Sequence, residues 1–132
     1  QRSLVGSEMC IRDRVEVAPG IHANGEYTLG ENIADQGGLR VAYTAYHDAV
    51  GENAKGDGEF TPDQLFYLAY ASVWASNIRP EEILVRTKTD PHSLGRNRVN
   101  VTLRNLDTFF NSFGITDGDA MFRPESERVI IW

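Results

Sequence analysis

The spacing of apolar residues predicts a long helix over residues 29–50. Apolar side chains recur there at intervals of three and four positions, the period of one helical face: Ile33, Ala34, Val41, Ala42, Ala45, Tyr46 and Ala49. Gly37 and Gly38 interrupt the pattern, and each costs roughly 1 kcal/mol relative to alanine in a helix interior. The pair therefore suggests close packing against another backbone, or a kink. Residues 15–27 are rich in turn-forming residues and predict a loop with turns.

A second helix is predicted to begin after Thr61. Thr61 serves as the N-cap, Pro62 takes the first helical position and Gln64 completes a capping box. The helix is expected to end near Asn77. Its apolar residues surround most of the circumference, which is typical of a helix buried on nearly all sides: Leu65, Phe66, Leu68, Ala69, Val73 and Trp74. Since a short chain has little material to cover such a helix, the pattern indicates that part of the core is missing.

The remaining segments predict short elements. Residues 51–58 read as a polar surface loop, residues 80–88 as a shorter helix, and residues 92–103 as loop and extended chain. A final helix is expected at residues 105–113, ended by Gly114. The tail, residues 128–132, looks like a buried strand or an extended terminus.

Composition limits the class of protein. The chain has 132 residues, which is the size of one ordinary domain, and 41% of them are apolar. A net charge of −6 argues against nucleic acid as a partner, because its recognition needs clustered Lys and Arg. The longest uncharged apolar stretch, residues 65–78, is too short and too polar to span a bilayer. The single cysteine, Cys10, rules out an internal disulfide.

Residues 1–14 (QRSLVGSEMCIRDR) follow neither a helical nor a strand period. Residues 4–14 closely resemble translated sequencing-adapter sequence. We therefore expect residues 1–14 to be an artefactual extension that has replaced an upstream part of the gene, and residues 15–132 to be the genuine fragment. The alternative is an ordinary N-terminal arm.

Two carboxylates occupy one face of the first predicted helix. Glu31 and Asp35 are four residues apart. In such an arrangement one carboxylate can bind a metal while the other accepts a hydrogen bond from a histidine ligand and fixes its ring. The spacing alone does not separate this possibility from a solvated acidic pair, which is commonplace on helix surfaces.

The residues around this pair carry a family resemblance. Residues 30–35 (GENIAD) look like the glutamate motif of the neprilysin and endothelin-converting-enzyme family of zinc endopeptidases. Further matches follow in the family's order: residues 64–74 (QLFYLAYASVW), Arg79 with Pro80, residues 88–95 (KTDPHSLG), Arg98 with Val99, and residues 128–132 (RVIIW). The resemblance covers residues 15–132. It implies a mainly α fold, the helical C-terminal part of a thermolysin-like catalytic domain, with Glu31 as the third zinc ligand and Asp35 as support for a histidine ligand.

The same resemblance implies roles for two further residues. His92, in the D-x-H-S-x-G loop, would donate to the oxyanion that forms at the peptide carbonyl, and Arg98 would grip a backbone carbonyl of the substrate. Asp90 could orient His92 or cap the loop. Without the family match, His92 would read as a surface histidine and Arg98 as part of a surface salt bridge. His22 and His47 read as structural or solvated.

A catalytic zinc needs three protein ligands and one open position. The family supplies two of the ligands as H-E-x-x-H, and no such motif occurs in this sequence. We therefore expect zinc and peptide substrates to belong to the intact enzyme, whose N-terminal part is missing here. The fragment alone is expected to be inactive.

Two alternatives remain at this stage. One is a catalytically dead relative that acts as a binding or scaffolding protein, and the other is a reading frame that is never translated. The near-absence of cysteine differs from the disulfide-rich animal members of the family and suggests a bacterial origin. Either the cytoplasm or the periplasm, with export, is compatible with that origin.

Overall fold

The computed structural model describes residues 15–130. Five α-helices follow a short hairpin in this range, with 3₁₀ turns at Gly51–Asn53 and Glu125–Glu127. The helices are α1 (Gly25–Val50), α2 (Pro62–Val73), α3 (Pro80–Thr89), α4 (Gly95–Leu103) and α5 (Asp107–Phe113). The predicted mainly α fold class is confirmed. Of the helices described here, none is long and apolar enough to cross a membrane.

The segment before α1 forms an antiparallel hairpin of two strands, β1 (Glu16–Ala18) and β2 (Ile21–His22). Gly20 lies in the turn with φ of 73°, a left-handed conformation that favours glycine. Its N–H donates to Oε1 of Glu16 at 2.7 Å. The predicted turns are therefore present, but the sequence pattern did not reveal the two short strands.

Helix α1 is longer than predicted. It begins at Gly25, because Oδ1 of Asn24 accepts a hydrogen bond from the Tyr27 N–H at 3.1 Å and caps the first turn. The helix continues through both glycines, and a Cβ on Gly38 would have no neighbour within 4 Å. The close packing suggested for this position is therefore wrong.

The buried face of α1 also differs from the apolar pattern. Its buried residues are Gly25, Thr28, Asn32, Gln36 and Leu39, whereas Val41 is 71% exposed. Polar side chains on the inner face weaken the hydrophobic period that sequence patterns rely on. The helix is held by hydrogen bonds as well as by apolar burial.

Helix α2 begins as predicted. Thr61 and Gln64 form the complete capping box, and Pro62 is the first helical residue. The helix ends at Val73, earlier than expected, and its burial is one-sided. Tyr67 is buried, whereas Leu68 is exposed and Val73 is 74% exposed. Within residues 15–130, α5 packs against α2 and leaves the opposite face uncovered. The apolar circumference of α2 is therefore only partly covered by this part of the chain, as expected if some of the core is missing.

Residues 92–103 were predicted to be loop and extended chain, and this is wrong for most of the segment. Residues Gly95–Leu103 form α4. The segment contains asparagine and β-branched residues, which have low helix propensity, so its sequence favours no helix locally. Packing against α1 decides the conformation, and four of its side chains are buried: Asn97, Val101, Thr102 and Leu103.

The core lies where α1, α2 and α5 meet the end of α4, and half of its buried cluster is aromatic: Leu39, Tyr67, Leu103, Leu106, Phe109 and Phe110. The Tyr67 ring meets the Phe109 ring edge to face at 5.4 Å between centroids, and its hydroxyl is 2.6 Å from Oγ1 of Thr108. Burial raises the pKa of Tyr67 to about 12, so the phenol is neutral at physiological pH. Helix α5 ends at Gly114, as predicted, with φ of 63°.

The chain after α5 returns to α1. Arg128 is extended, Val129 is buried and Ile130 is exposed. The prediction of an extended terminus is confirmed for these residues, although burial is confined to Val129 among them. Residues 131 and 132, and the predicted extension at residues 1–14, lie outside the described part of the chain.

The capping box provides a test of the fold. Thr61→Ala removes the hydroxyl that accepts from the Gln64 N–H at 3.3 Å, and losing such a cap costs about 1 kcal/mol. Urea denaturation should show the free energy of unfolding falling by that amount. Thr44→Ala is the matched control, because the exposed Thr44 hydroxyl only contacts the Arg40 carbonyl one turn earlier in α1. Equal losses in the two variants would show that Thr61 is not a cap.

Candidate active site

The two predicted carboxylates lie on one face of α1 and differ in exposure. The side chain of Asp35 is 11% exposed and that of Glu31 is 40% exposed. Because α1 is continuous through both residues, their carboxylates stand one helical turn apart. Asp35 is therefore the more buried of the two carboxylates, and Glu31 is the more accessible.

Arg98, on α4, binds both carboxylates. Its Nε and Nη2 donate to the two oxygens of Asp35 at 2.5 and 2.6 Å, which is the bidentate geometry of a strong guanidinium–carboxylate pair. Nη2 also lies 3.2 Å from Oε2 of Glu31. The hydrogen bond with Asp35, followed by the charges of Asp35 and Glu31, raises the pKa of the Arg98 guanidinium. The charge is thus fixed between α1 and α4.

Two aromatic side chains contact Arg98: Tyr70 on α2 and Trp74 at the C-terminal end of that helix. Neither was predicted from the sequence as part of the site. The guanidinium carbon lies 4.1 Å from the centre of the Trp74 ring, a cation–π contact. The Tyr70 hydroxyl donates to the Arg98 carbonyl oxygen at 3.2 Å. Tyr70 and Trp74 are four residues apart, and this spacing was the available signal that they share a helical face.

His92 lies in the loop before α4 and is held by Asp90. Oδ1 of Asp90 accepts from the His92 backbone N–H at 2.9 Å and lies 2.8 Å from Nδ1 of the ring. These two hydrogen bonds, the backbone one first, lower the pKa of the Asp90 carboxyl. Asp90 therefore does both things considered from the sequence, since it caps the loop and orients the histidine. His92 Nε2 is left facing Oε1 of Glu31 at 3.8 Å.

Gly95 brings this loop against the end of α2. A Cβ at this position would lie 2.5 Å from the Trp74 carbonyl oxygen, too close for any side chain. A cleft of about 380 Å³ runs along the junction, and its lining includes Val73, Trp74, His92 and Arg98. The structure thus brings Glu31, Asp35, His92 and Arg98 into one cluster beside a cleft, although Glu31 and Arg98 lie far apart in sequence.

The other histidines lie elsewhere. His22 is exposed on β2, and Nε2 of His47 lies 2.9 Å from Asp63, which also accepts a hydrogen bond from Tyr43 at 2.8 Å. His47 thus links α1 to the first turn of α2. Neither histidine contacts the cluster around Arg98.

The described residues do not complete a zinc site. Across residues 15–130, no three His, Cys, Asp or Glu side chains are grouped so that they could hold a metal ion. Glu31 is an acceptable zinc ligand by chemistry, but His92, its nearest histidine, is held through Nδ1 by Asp90. The other ligands of a tetrahedral site would have to come from outside the described residues.

Comparison with known proteins decides the family. The model of peptidase family M13 matches residues 7–129. The chain belongs to peptidase family M13. Over 123 residues it is 43% identical to human neprilysin, covering 89% of this chain and 16% of the relative, and over 110 residues it is 42% identical to human endothelin-converting enzyme 1, covering 80% and 14%. The resemblance inferred from the motifs is confirmed.

Solved structures agree with this M13 assignment. The zinc metalloprotease ZMP1 of Mycobacterium tuberculosis, solved with an inhibitor, superposes with a TM-score of 0.88 at 32% identity, over 97% of this chain and 21% of that one. PepO from Lactobacillus rhamnosis superposes with a TM-score of 0.79 at 30% identity, over 98% and 19%. The chain thus spans about one fifth of these proteins. The matched region begins at residue 7, and the assignment of residues 1–14 as an extension stays a prediction.

The ion pair at the centre of the cluster predicts a stability effect. Asp35→Asn leaves the Arg98 charge largely buried with a weaker partner, and breaking a buried pair in this way costs about 3 kcal/mol. Urea denaturation at neutral pH measures the loss. Glu82→Gln is the control, because its i,i+4 pair with Arg86 at 3.6 Å is exposed and contributes about 0.5 kcal/mol or less. Similar losses in both variants would contradict a structural role for the Asp35–Arg98 pair.

Proposed function

We propose that this M13 chain is the C-terminal portion of the catalytic domain of a zinc-dependent metalloendopeptidase. In the complete protein it would supply one zinc ligand and the groups that contact the peptide carbonyls. The observation that carries the proposal is the cluster itself: α1, the loop before α4 and α4 bring Glu31, Asp35, His92 and Arg98 together beside a cleft.

Glu31 is the proposed metal ligand because its carboxylate is more exposed than that of Asp35, the other acid of the cluster on α1. Zinc, when bound, would activate water for attack on a peptide bond. Asp35 is proposed to steady a histidine ligand from the missing part of the domain, while both of its oxygens accept from Arg98. A carboxylate oxygen has two lone pairs and can accept twice, so these two roles are compatible.

His92 is proposed to stabilise the oxyanion, and its contacts specify the protonation state that this requires. The lowered pKa of Asp90 keeps that carboxylate ionised at neutral pH, so it can only accept and the ring proton sits on Nδ1. Nε2 then donates a hydrogen bond only when the imidazole is doubly protonated. In that form His92 would be a cationic donor, which suits an oxyanion better than a neutral one.

Arg98 is proposed to bind a substrate carbonyl. Two of its three guanidinium nitrogens are engaged by Asp35, and one of those also contacts Glu31. Nη1 contacts no carboxylate within residues 15–130 and belongs to a residue that lines the cleft. The bidentate pair fixes the plane of the guanidinium, so Nη1 is held in one direction, ready for a carbonyl oxygen.

The remainder of the same enzyme is the proposed partner of this chain. One glutamate does not hold zinc with useful affinity, so we propose that the chain alone is inactive. Apolar side chains exposed on several helices support a missing neighbour: Val41 on α1, Leu68 and Val73 on α2, and Val85 on α3. Peptide substrates, zinc and activity would all belong to the complete domain.

A hybrid enzyme tests these roles. Residues 15–132 would replace the matching segment of the mycobacterial zinc metalloprotease, and zinc content and hydrolysis of a fluorogenic peptide would be measured. Glu31→Gln should abolish zinc retention. His92→Gln should keep the zinc and lower kcat by about 100-fold to 1,000-fold. The unfused chain should neither retain zinc nor hydrolyse the peptide.

The control in this hybrid is Glu82→Gln, an exposed carboxylate on α3 away from the cluster. It should leave both zinc content and kcat unchanged. Full zinc retention by the Glu31→Gln hybrid would contradict the ligand assignment. Hydrolysis by the unfused chain, lost in Glu31→Gln, would contradict the need for the missing part.

A further inference from the structure

A buried polar bridge joins α1 to α4 through the chain after α5. Gln36 on α1 is 2% exposed, and its Nε2 donates to the Val129 carbonyl oxygen at 2.5 Å, across 93 residues of sequence. The Val129 N–H donates in turn to Oδ1 of Asn105 at 3.0 Å. Asn105 lies two residues after the end of α4 and donates from Nδ2 to the Val101 carbonyl oxygen of that helix at 2.8 Å. We call Gln36, Val129 and Asn105 the tail bridge.

Asn105 is fixed in orientation. Its Oδ1 accepts from Val129 and also from Nη1 of Arg123 at 3.0 Å, while its Nδ2 donates within α4. Exchanging the amide oxygen and nitrogen would leave the side chain without these partners. Since an unpaired buried polar group costs free energy, Asn105 holds the tail backbone at one position relative to α4.

The tail bridge and the Asp35–Arg98 pair act on the same two helices. Gln36 directly follows Asp35, so the two side chains leave α1 about 100° apart. Arg98 and Val101 are three residues apart on α4. Two attachments at different angles around α1 restrict its rotation about its own axis more than the ion pair alone, which holds α1 to α4 at one point.

We propose that Gln36 and Asn105 are positioning residues, which act through the backbone of Val129 to set the rotation of α1 and thus the placing of Asp35 and Glu31 relative to Arg98. The catalytic meaning of this inference rests on the proposed function, but the geometry does not. Burial alone does not explain the bridge, because an apolar side chain would fill the same space without needing a partner. An apolar side chain would not form a directional hydrogen bond and so would not fix the position of the Val129 backbone.

The test is nuclear magnetic resonance of the Arg98 Nε–Hε group in the full chain. Gln36→Met keeps most of the volume but removes the donor. The Asp35–Arg98 pair should then open more often, and Arg98 Hε should exchange with water about tenfold faster or more at fixed pH. Gln64→Met is the control, because Gln64 also donates its Nε2 to a distant backbone carbonyl, that of Ser112 on α5 at 3.0 Å. This variant additionally removes the acceptor of the Thr61 N–H in the capping box, so it loses one more hydrogen bond than Gln36→Met without touching the tail bridge.

Unchanged Arg98 exchange in Gln36→Met, or equal acceleration in Gln64→Met, would overturn the proposal. Should Gln36→Met fail to fold, a chain ending at Arg128 removes the Val129 N–H and carbonyl together with its buried side chain, which packs on Val101, while every helix keeps its sequence; the same acceleration is expected. Exchange at Arg98 requires neither zinc nor catalysis. A failure of the tail bridge is therefore distinguishable from a failure of the peptidase assignment.

Discussion

The bidentate pair between Asp35 and Arg98 is the interaction on which the rest of the site depends. It connects α1 to α4 and draws Glu31 to within 3.2 Å of the same guanidinium. Trp74 covers one face of that guanidinium and Tyr70 binds its backbone, so α2 is tied to the same point. Charges this poorly exposed are stable only with full pairing, and the pairing therefore determines how the three helices meet.

The packing of the described helices is organised around this ion pair more than around a closed hydrophobic core. The aromatic cluster of α1, α2 and α5 secures one side, and the tail bridge secures α1 against α4. Other faces of α1 and α2 stay uncovered, with Val41 and Val73 as their most exposed apolar residues. The chain spans about one fifth of related structures, and its described residues hold Glu31, Asp35, His92 and Arg98 together in one cluster.

Features that are set by a few neighbouring residues could be predicted from the sequence. The Thr61–Gln64 capping box, the stop at Gly114 and the shared face of Glu31 and Asp35 each depend on a few neighbouring residues. Helix α4 could not be predicted, because its low-propensity residues become helical only through packing on α1. The Asp35–Arg98 pair also escaped prediction, because nothing local shows that residues 63 positions apart will meet. The motifs named both residues, but only the fold shows that they bind each other.

The central claim is that this cluster belongs to a catalytic domain whose histidine ligands lie upstream in the same gene. Sequencing the genomic locus through the codons before Val15 tests it most directly. The proposal predicts that the reading frame continues upstream without the adapter-like segment and encodes H-E-x-x-H. A continuous frame that lacks this motif would contradict it, and would leave Glu31, Asp35, His92 and Arg98 as the cluster of a binding protein that holds no catalytic zinc.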